Sequence, residues 1–427
     1  MRHILAVILL VMCASALASA QSGDASRQKL KQGDKGAGKP GANAARQTPP
    51  LTVIDTYTPV VASVLGPPVF FVSGTDRKYH IAYDVEFQNT HTAAATLSKV
   101  DVVDAGNRVL VSMEGLEVVR RLRTLDARPV ENSEIEPKGS RVLFIELTFD
   151  SLAQVPKVFL HNLGLIGAKH PTDTEPSVFN YTILPYNVAA AKPLTIGPPL
   201  AGKGWIATNG CCAPGRPHRS SFQSVNGMII NAQRFAIDWM RMNDDGYMVV
   251  GDPSKNENWV NYGADVIAVA DGTVIKTLDE FDDNKPGDLP KTVTVKNIGG
   301  NHIVLDLGNG LYGFYAHLKR GSLKVRVGDK VRKGDKLALL GNTGNSSAPH
   351  LHFHIMDSPS VLGSNGIPYV IESFEYDGQV PLDLFLKAFG DFETSNKMTE
   401  KFSGGRLAMP QRRKGQYPLA LDIINFP

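Results

Sequence analysis

The stretch GNTGNSSAPHLHFHI, residues 341–355, decides how the chain is read. It ends with His350, His352 and His354 at every second position. Side chains alternate between the two faces of a β-strand, so the three imidazoles are expected on one surface. A catalytic zinc site needs three protein ligands drawn from His, Asp and Glu, plus an open position for water. The parts for such a site occur on strand-like segments: Asp238 in RFAIDW, His317 in YAHL, and His350 and His352 in PHLHF. Of eleven histidines, six (His218, His302, His317, His350, His352, His354) fall between residues 218 and 354, so the chemistry is expected there. His80, His91, His161 and His170 are scattered singly and read as surface or core residues.

The chain has 427 residues, 42% of them hydrophobic and 20% charged, enough for two domains with sizeable cores. A formal net charge of +3 gives no reason to expect a nucleic-acid partner. Arg2 and His3 precede the apolar run ILAVILLVMCASAL and the small residues Ala18-Ser19-Ala20. That pattern reads as a secretory signal peptide over residues 1–20 and implies an exported protein, periplasmic or secreted. The run is short for a span of roughly 20 residues, and no later segment is apolar enough for a transmembrane helix. Cleavage leaves Cys211 and Cys212, adjacent in sequence, as either a vicinal disulfide or two packed thiols; a structural role is expected.

Residues 21–50 lack almost all aromatic and branched aliphatic side chains and read as a disordered linker. From residue 51 to 190 short apolar alternations such as YHIAYDVEFQN and SRVLFIELTFDS, broken by turn signals, predict an immunoglobulin-like β-sandwich. Helical periodicity is confined to a turn near Leu116 to Leu125. The Pro/Gly-rich segment KPLTIGPPLAGKG (192–204) reads as a domain boundary, after which strands resume, among them MIINAQRFAIDWM, KTVTVKN and KLALLGNTG. The acidic loop DEFDDNKPGDLP (279–290) carries no packing signal and reads as a solvated rim, or a lip over a groove. The fold class expected is therefore all-β: a sandwich, a second β-domain over 205–390, and a tail over 391–427 in which LALDII reads as a late strand.

With these motifs in place, the second domain resembles the lysostaphin-type, or LytM-domain, zinc endopeptidases, whose usual signature is GxTGxSxxPHLHFE. The preceding segments RFAIDW, YGADVIAVADGTVI, NHIVLDLGNGLYGFYAHL and VRVGDKVRKGDKLALLGNTG stand in family order, so the resemblance covers roughly residues 205–357. It implies a compact antiparallel, barrel-like β core with an open groove, one zinc ion, and cleavage of peptide bonds in peptidoglycan. Asp238 and His352 would be zinc ligands, with His317 and His350 flanking a metal-bound water. Zinc lowers the pKa of that water to about 7.

One position departs from the family pattern. Four residues before the zinc Asp the family has its first histidine ligand, where this chain has Arg234. A guanidinium has no lone pair to give a metal. Either the metal is lost or another residue supplies the third ligand, and His218 in GRPHRSSF is the expected substitute. HRSSFQSV and MIINAQRFAIDWM read as a hairpin about Asn226-Gly227. If Val225 pairs with Met228, His218 faces Phe235 and points away from Asp238. One turn residue more or fewer pairs it with Ala236 or Arg234, on the face of Asp238, and such a bulged turn is the expectation. His354, standing where the family has Glu, is the rival ligand, with a hydrogen-bonding role behind His352 preferred. If Arg234 points inward, it would bind a substrate carboxylate or pair with Asp238, the latter marking a dead site.

The function expected is that of an exported zinc endopeptidase acting on peptidoglycan peptides or another peptide substrate, with His218, Asp238 and His352 on the metal and His317 and His350 assisting. The alternative is an inactive module of the same fold that binds the cell wall or regulates a partner hydrolase. A lipoyl-type carrier, suggested by VRVGDKVRKGDKLALLG, is disfavoured because no Lys sits at a suitable hairpin tip.

Overall fold

The computed structural model describes residues 57–67, 70–189, 192–213, 216–390, 399, 401–402 and 404–427. The expected signal peptide and linker lie outside the described residues. Residues 60–187 form two five-stranded antiparallel sheets. The first runs Val60–Leu65, Tyr79–Asn89, Ser140–Phe149, Leu122–Arg123, with Phe71–Ser73 also paired to the second strand. The other runs Pro176–Asn187, Val158–Ala168, Ala95–Asp104, Val109–Glu114, with Glu134–Ile135 at its side. Alternation points Tyr83, Val85 and Ile145 of the first sheet at Val102, Leu163 and Leu165 of the second, in one apolar core. The same alternation turns Ala82, Asp84 and Phe144 outward. They are nevertheless buried, because the C-terminal part of the chain covers that face.

That part is built on an eleven-stranded antiparallel sheet. Its order is Lys330–Val331, Gly272–Leu278, Asn301–Asp306, Tyr312–Leu318, Leu351–Met356, Ile237–Arg241, Gly202–Thr208, Asp422–Phe426, Phe374–Gln379 and Arg406–Arg413, with Gly366–Ile367 beside the Leu351 strand. The ladder is open at both ends. Odd-numbered residues of its centre, among them Ile237, Trp239, Tyr315, Leu351 and Phe353, enter a core shared with the short pair Asp265–Ile267 and Lys336–Leu339. Even-numbered residues of the same strands form the opposite face. Met240 and Ile206 start one apolar cluster there, and Phe314, Ala316 and Met356 belong to another. Asp238 and His352, directly opposite one another, lie between the two.

Three local expectations change. KTVTVKN forms no strand: Asn297 closes a turn by accepting from the Thr294 amide at 2.6 Å and donating to the Thr292 carbonyl at 2.9 Å. Local side-chain bonds thereby satisfy backbone groups that a sheet would otherwise pair. The loop 279–290 is exposed along much of its length, as a rim, but carries packing bonds that its composition did not signal. Asn284 donates to the carbonyls of Gly344 and Ser346 at 2.7 and 2.8 Å, and Asp283 accepts from the Tyr262 hydroxyl at 3.0 Å. The hairpin about Asn226-Gly227 has the Val225–Met228 register and pairs only Gln223–Val225 with Met228–Ile230. Its register therefore does not extend to His218, which lies on a single 3-10 turn, His218–Ser220.

The segment 192–204 contributes Leu194–Ile196, which pairs in parallel with Tyr369–Ile371. The C-terminal strand Asp422–Phe426 pairs with both Gly202–Thr208 and Phe374–Gln379. It also ties the two parts together, since Thr75 donates to the Asp422 carboxylate and Tyr417 donates to the Ser73 carbonyl at 2.8 Å. Burial pushes the Asp422 carboxyl up to about 7. The folded state then holds a proton that the unfolded chain releases near the ordinary carboxylate pKa of about 3.9, so this group's stabilisation is lost as pH rises. Comparing thermal unfolding of wild type and Asp422→Asn should show wild type losing stability relative to the variant between about pH 4 and pH 7. A difference that is flat in pH would contradict this.

Candidate metal centre

Four elements converge on Asp238. Its own strand and the Leu351–Met356 strand place Asp238 beside His352, whose Nδ1 lies 2.8 Å from Oδ1. The 3-10 turn brings His218 Nε2 to 3.2 Å from Oδ2. His350, just before the Leu351 strand, sets Nε2 3.4 Å from Oδ1. His317, near the end of Tyr312–Leu318, lies beside His350 with ring centroids 4.7 Å apart and planes tilted by 53°. All five side chains are buried or nearly so.

The second ring nitrogens are held by neighbours, which decides which nitrogen faces inward. His218 Nδ1 donates to the Ala236 carbonyl at 3.0 Å, His317 Nδ1 to that of Thr343 at 2.7 Å, and His350 Nδ1 to that of Ala348 at 2.8 Å. Each leaves Nε2 for the centre. His352 is turned the other way: Nδ1 faces Asp238, and Nε2 lies 2.9 Å from His354 Nδ1. His354 is thus behind His352, and its own Nε2 has no partner among the described residues. Burial opposes the charge on Asp238, but His218 and His350 outweigh it and hold the carboxyl well below the usual carboxylate range. Burial, reinforced by His350 and His352, pushes His317 well below the ordinary imidazole pKa.

The donor atoms of His218, Asp238 and His352 lie within 4.8 Å of one another. Ligands of one zinc ion stand about 3–4 Å apart, so this set needs only small side-chain adjustments. Two imidazoles and a carboxylate, each imidazole held through its other nitrogen, make a donor set suited to zinc. His218 therefore reaches the site, but not by the bulged hairpin expected from sequence. Arg234 does not point inward, so neither role that depended on that orientation arises. Its guanidinium turns away and donates to Asp84 of the N-terminal part, from Nε at 3.1 Å and from a terminal nitrogen at 2.7 Å.

Sequence reasoning passed over several supporting residues. Asn209 donates its amide to Asp238 Oδ2 at 2.8 Å, and the Thr208 hydroxyl donates to the Asp238 carbonyl at 2.7 Å. The signal available was the Asn209-Gly210 pair, because Asn tolerates the left-handed backbone found there (φ 55°). His317 is itself left-handed (φ 61°), a conformation that costs a non-glycine residue about 1–3 kcal/mol and persists only where surroundings enforce it. Bonds from its own amide to Gly299 and from the Gly341 amide to its carbonyl, both 3.1 Å, supply that enforcement.

The site is thus a buried His/Asp cluster on an antiparallel β domain that could hold a metal ion, with two further histidines beside it. Residues 259–363 match the model of peptidase family M23, a span that includes His317, His350 and His352 and begins after His218 and Asp238. The chain is 30% identical over 160 residues to endolysin 2638A of Staphylococcus phage 2638A, covering 36% of this chain and 27% of that protein. It is 39% identical over 57 residues to the peptidoglycan DD-endopeptidase ShyA of Vibrio cholerae, covering 13% of each. Among solved structures, the catalytic domain of lysostaphin from Staphylococcus simulans is 25% identical, with 34% of this chain and 80% of that one covered and a TM-score of 0.21. The chain thus spans little more than a quarter, at most, of the length of these two curated relatives.

The loop that holds His317 is packed too closely to accept a side chain. A Cβ on Gly344 (φ 74°) would stand 2.2 Å from the Gly300 amide nitrogen, in the turn whose Thr343 carbonyl accepts from His317. Gly344→Ala should therefore cost about 1–3 kcal/mol in chemical denaturation monitored by circular dichroism. An unchanged midpoint would contradict the packing described.

Proposed function

We propose that the chain is an exported zinc endopeptidase that hydrolyses peptide bonds in peptidoglycan. The observation carrying this reading is the convergence of His218, Asp238 and His352 with two further histidines turned to the same centre. His218 Nε2, the Asp238 carboxylate and His352 Nδ1 would hold the ion. When bound, zinc supplies a water acidified to a pKa of about 7 and polarises the carbonyl to be attacked. His317 and His350 each present Nε2, the atom at which a proton is taken or returned and from which a developing oxyanion is hydrogen-bonded. Their Nδ1–H bonds to backbone carbonyls keep them in that orientation.

Peptidoglycan as substrate is supported by the relative named a peptidoglycan DD-endopeptidase. Export rests on the N-terminal sequence pattern; among the described residues no helix is long and apolar enough to cross a membrane. The strand order of residues 60–187 supports the immunoglobulin-like reading of the N-terminal sandwich. The metal-free alternative drew its force from Arg234. With that guanidinium committed to Asp84, the vacant donor position falls to His218.

Purified protein should carry about one zinc per chain by elemental analysis, and His218→Ala should lose most of it. His317→Ala and His350→Ala should retain the metal while release of soluble fragments from isolated sacculi falls about 10²–10⁴-fold. Wild-type protein free of zinc after purification without chelators would refute the reading.

A further inference from the structure

His218 is the one proposed ligand that the central sheet does not hold. Asp238 and His352 are fixed by the ladder between their strands, whereas a three-residue 3-10 turn has little stability of its own. The anchor of that turn is the next residue. Arg219 is 1% exposed, and its guanidinium enters the outer face of the N-terminal sandwich. There it donates to the Asp84 carboxylate, to the Tyr83 carbonyl at 2.8 Å and to the Ile145 carbonyl at 3.2 Å, with its charge 4.9 Å over the Phe144 ring. Those residues sit on two paired sandwich strands, where Asp84 faces Phe144 and Tyr83 faces Ile145. Asn231 closes the assembly, donating to Asp84 at 3.2 Å and to the Arg219 carbonyl at 3.1 Å.

We infer that Arg219 and Asp84 are positioning residues for the His218 ligand, so that the N-terminal sandwich completes the metal centre. This rests on His218 being a ligand. A lysine at 219 keeps the charge beside Asp84 but has no planar fork to bond a carboxylate and two carbonyls together. The turn would loosen and His218 would spend less time at the centre. Arg234 is the internal control: it bonds the same Asp84 from a neighbouring segment yet does not adjoin a ligand.

The test is titration of metal-free, full-length protein with cobalt(II), reading affinity and the visible absorption band. Arg219→Lys should raise the dissociation constant about tenfold or more and alter the band toward that of His218→Ala, as loss of an outer partner does at metal sites. Arg234→Lys should fall in thermal stability to a similar degree with affinity and band unchanged. Wild-type affinity and band in Arg219→Lys would overturn the inference, as would equal loss in Arg234→Lys, which would make the effect general to the interface. If His218→Ala itself binds cobalt as wild type does, the ligand assignment fails instead.

Discussion

The structure depends on one buried carboxylate. Asp84, 1% exposed on an outward face of the N-terminal sandwich, accepts from Arg219 and Arg234, two guanidinium groups that are themselves buried. Charges removed from water are tolerated only when paired and fully hydrogen-bonded, and stripping one partner from such a set costs about 3–5 kcal/mol. The arrangement meets most of that requirement through Asn231 and the carbonyls of Tyr83, Ile145 and Leu65, while Arg219 Nε has no partner among the described residues. It stabilises no geometry other than the one in which the 216–234 segment lies against the sandwich. The two parts of the chain are therefore joined by directional polar contacts as well as by apolar burial such as Phe222 against Phe144.

From that constraint the site divides into a rigid half and an attached half. The rigid half is the ladder: Asp238 faces His352, and Ala316 and Phe314 face His352 and His354 on the next strand. Period-two alternation sends Trp239, Leu351 and Phe353 into the core and the polar side chains to the opposite face, between two apolar clusters. The attached half is His218, delivered by a turn, and His317, bent into a left-handed conformation by the loops of Gly299–Asn301 and Gly341–Gly344. Both rely on contacts outside the sheet.

His354 shows how the centre is tuned. Where the resembled family has an acid, this chain has an imidazole that burial keeps neutral, touching His352 from behind. The formal charge of the proposed donor set then comes from Asp238 alone, with Asn209 and Thr208 fixing that residue. A divalent ion in this set would leave one net positive charge, which favours polarising a carbonyl oxygen and stabilising an oxyanion.

Much of this was legible in the residues themselves. The HLHFH alternation and Asp238 between apolar neighbours depend on local geometry, because a strand reverses its face at every residue whatever surrounds it; the order of the glycine-punctuated segments carries the family resemblance instead. His317 and His350 are expected there only through the family resemblance: alternation alone would put His317 on the face of Tyr315, and its left-handed backbone is what turns it toward His350. The placement of His218 could not. A hairpin register speaks only for residues that are paired, and pairing stops at Gln223 and Ile230. What brings His218 to Asp238 is an ion pair between Arg219 and Asp84, 135 positions apart, and what removes Arg234 from the site is the same carboxylate, 150 positions away. The sequence by itself determined most of the strands and their faces, KTVTVKN and His317 excepted, and the residue types able to bind a metal. Only the tertiary structure decided which of them meet, because the energy of a buried charge pair depends on distance and solvent exclusion and leaves no periodic mark along the chain.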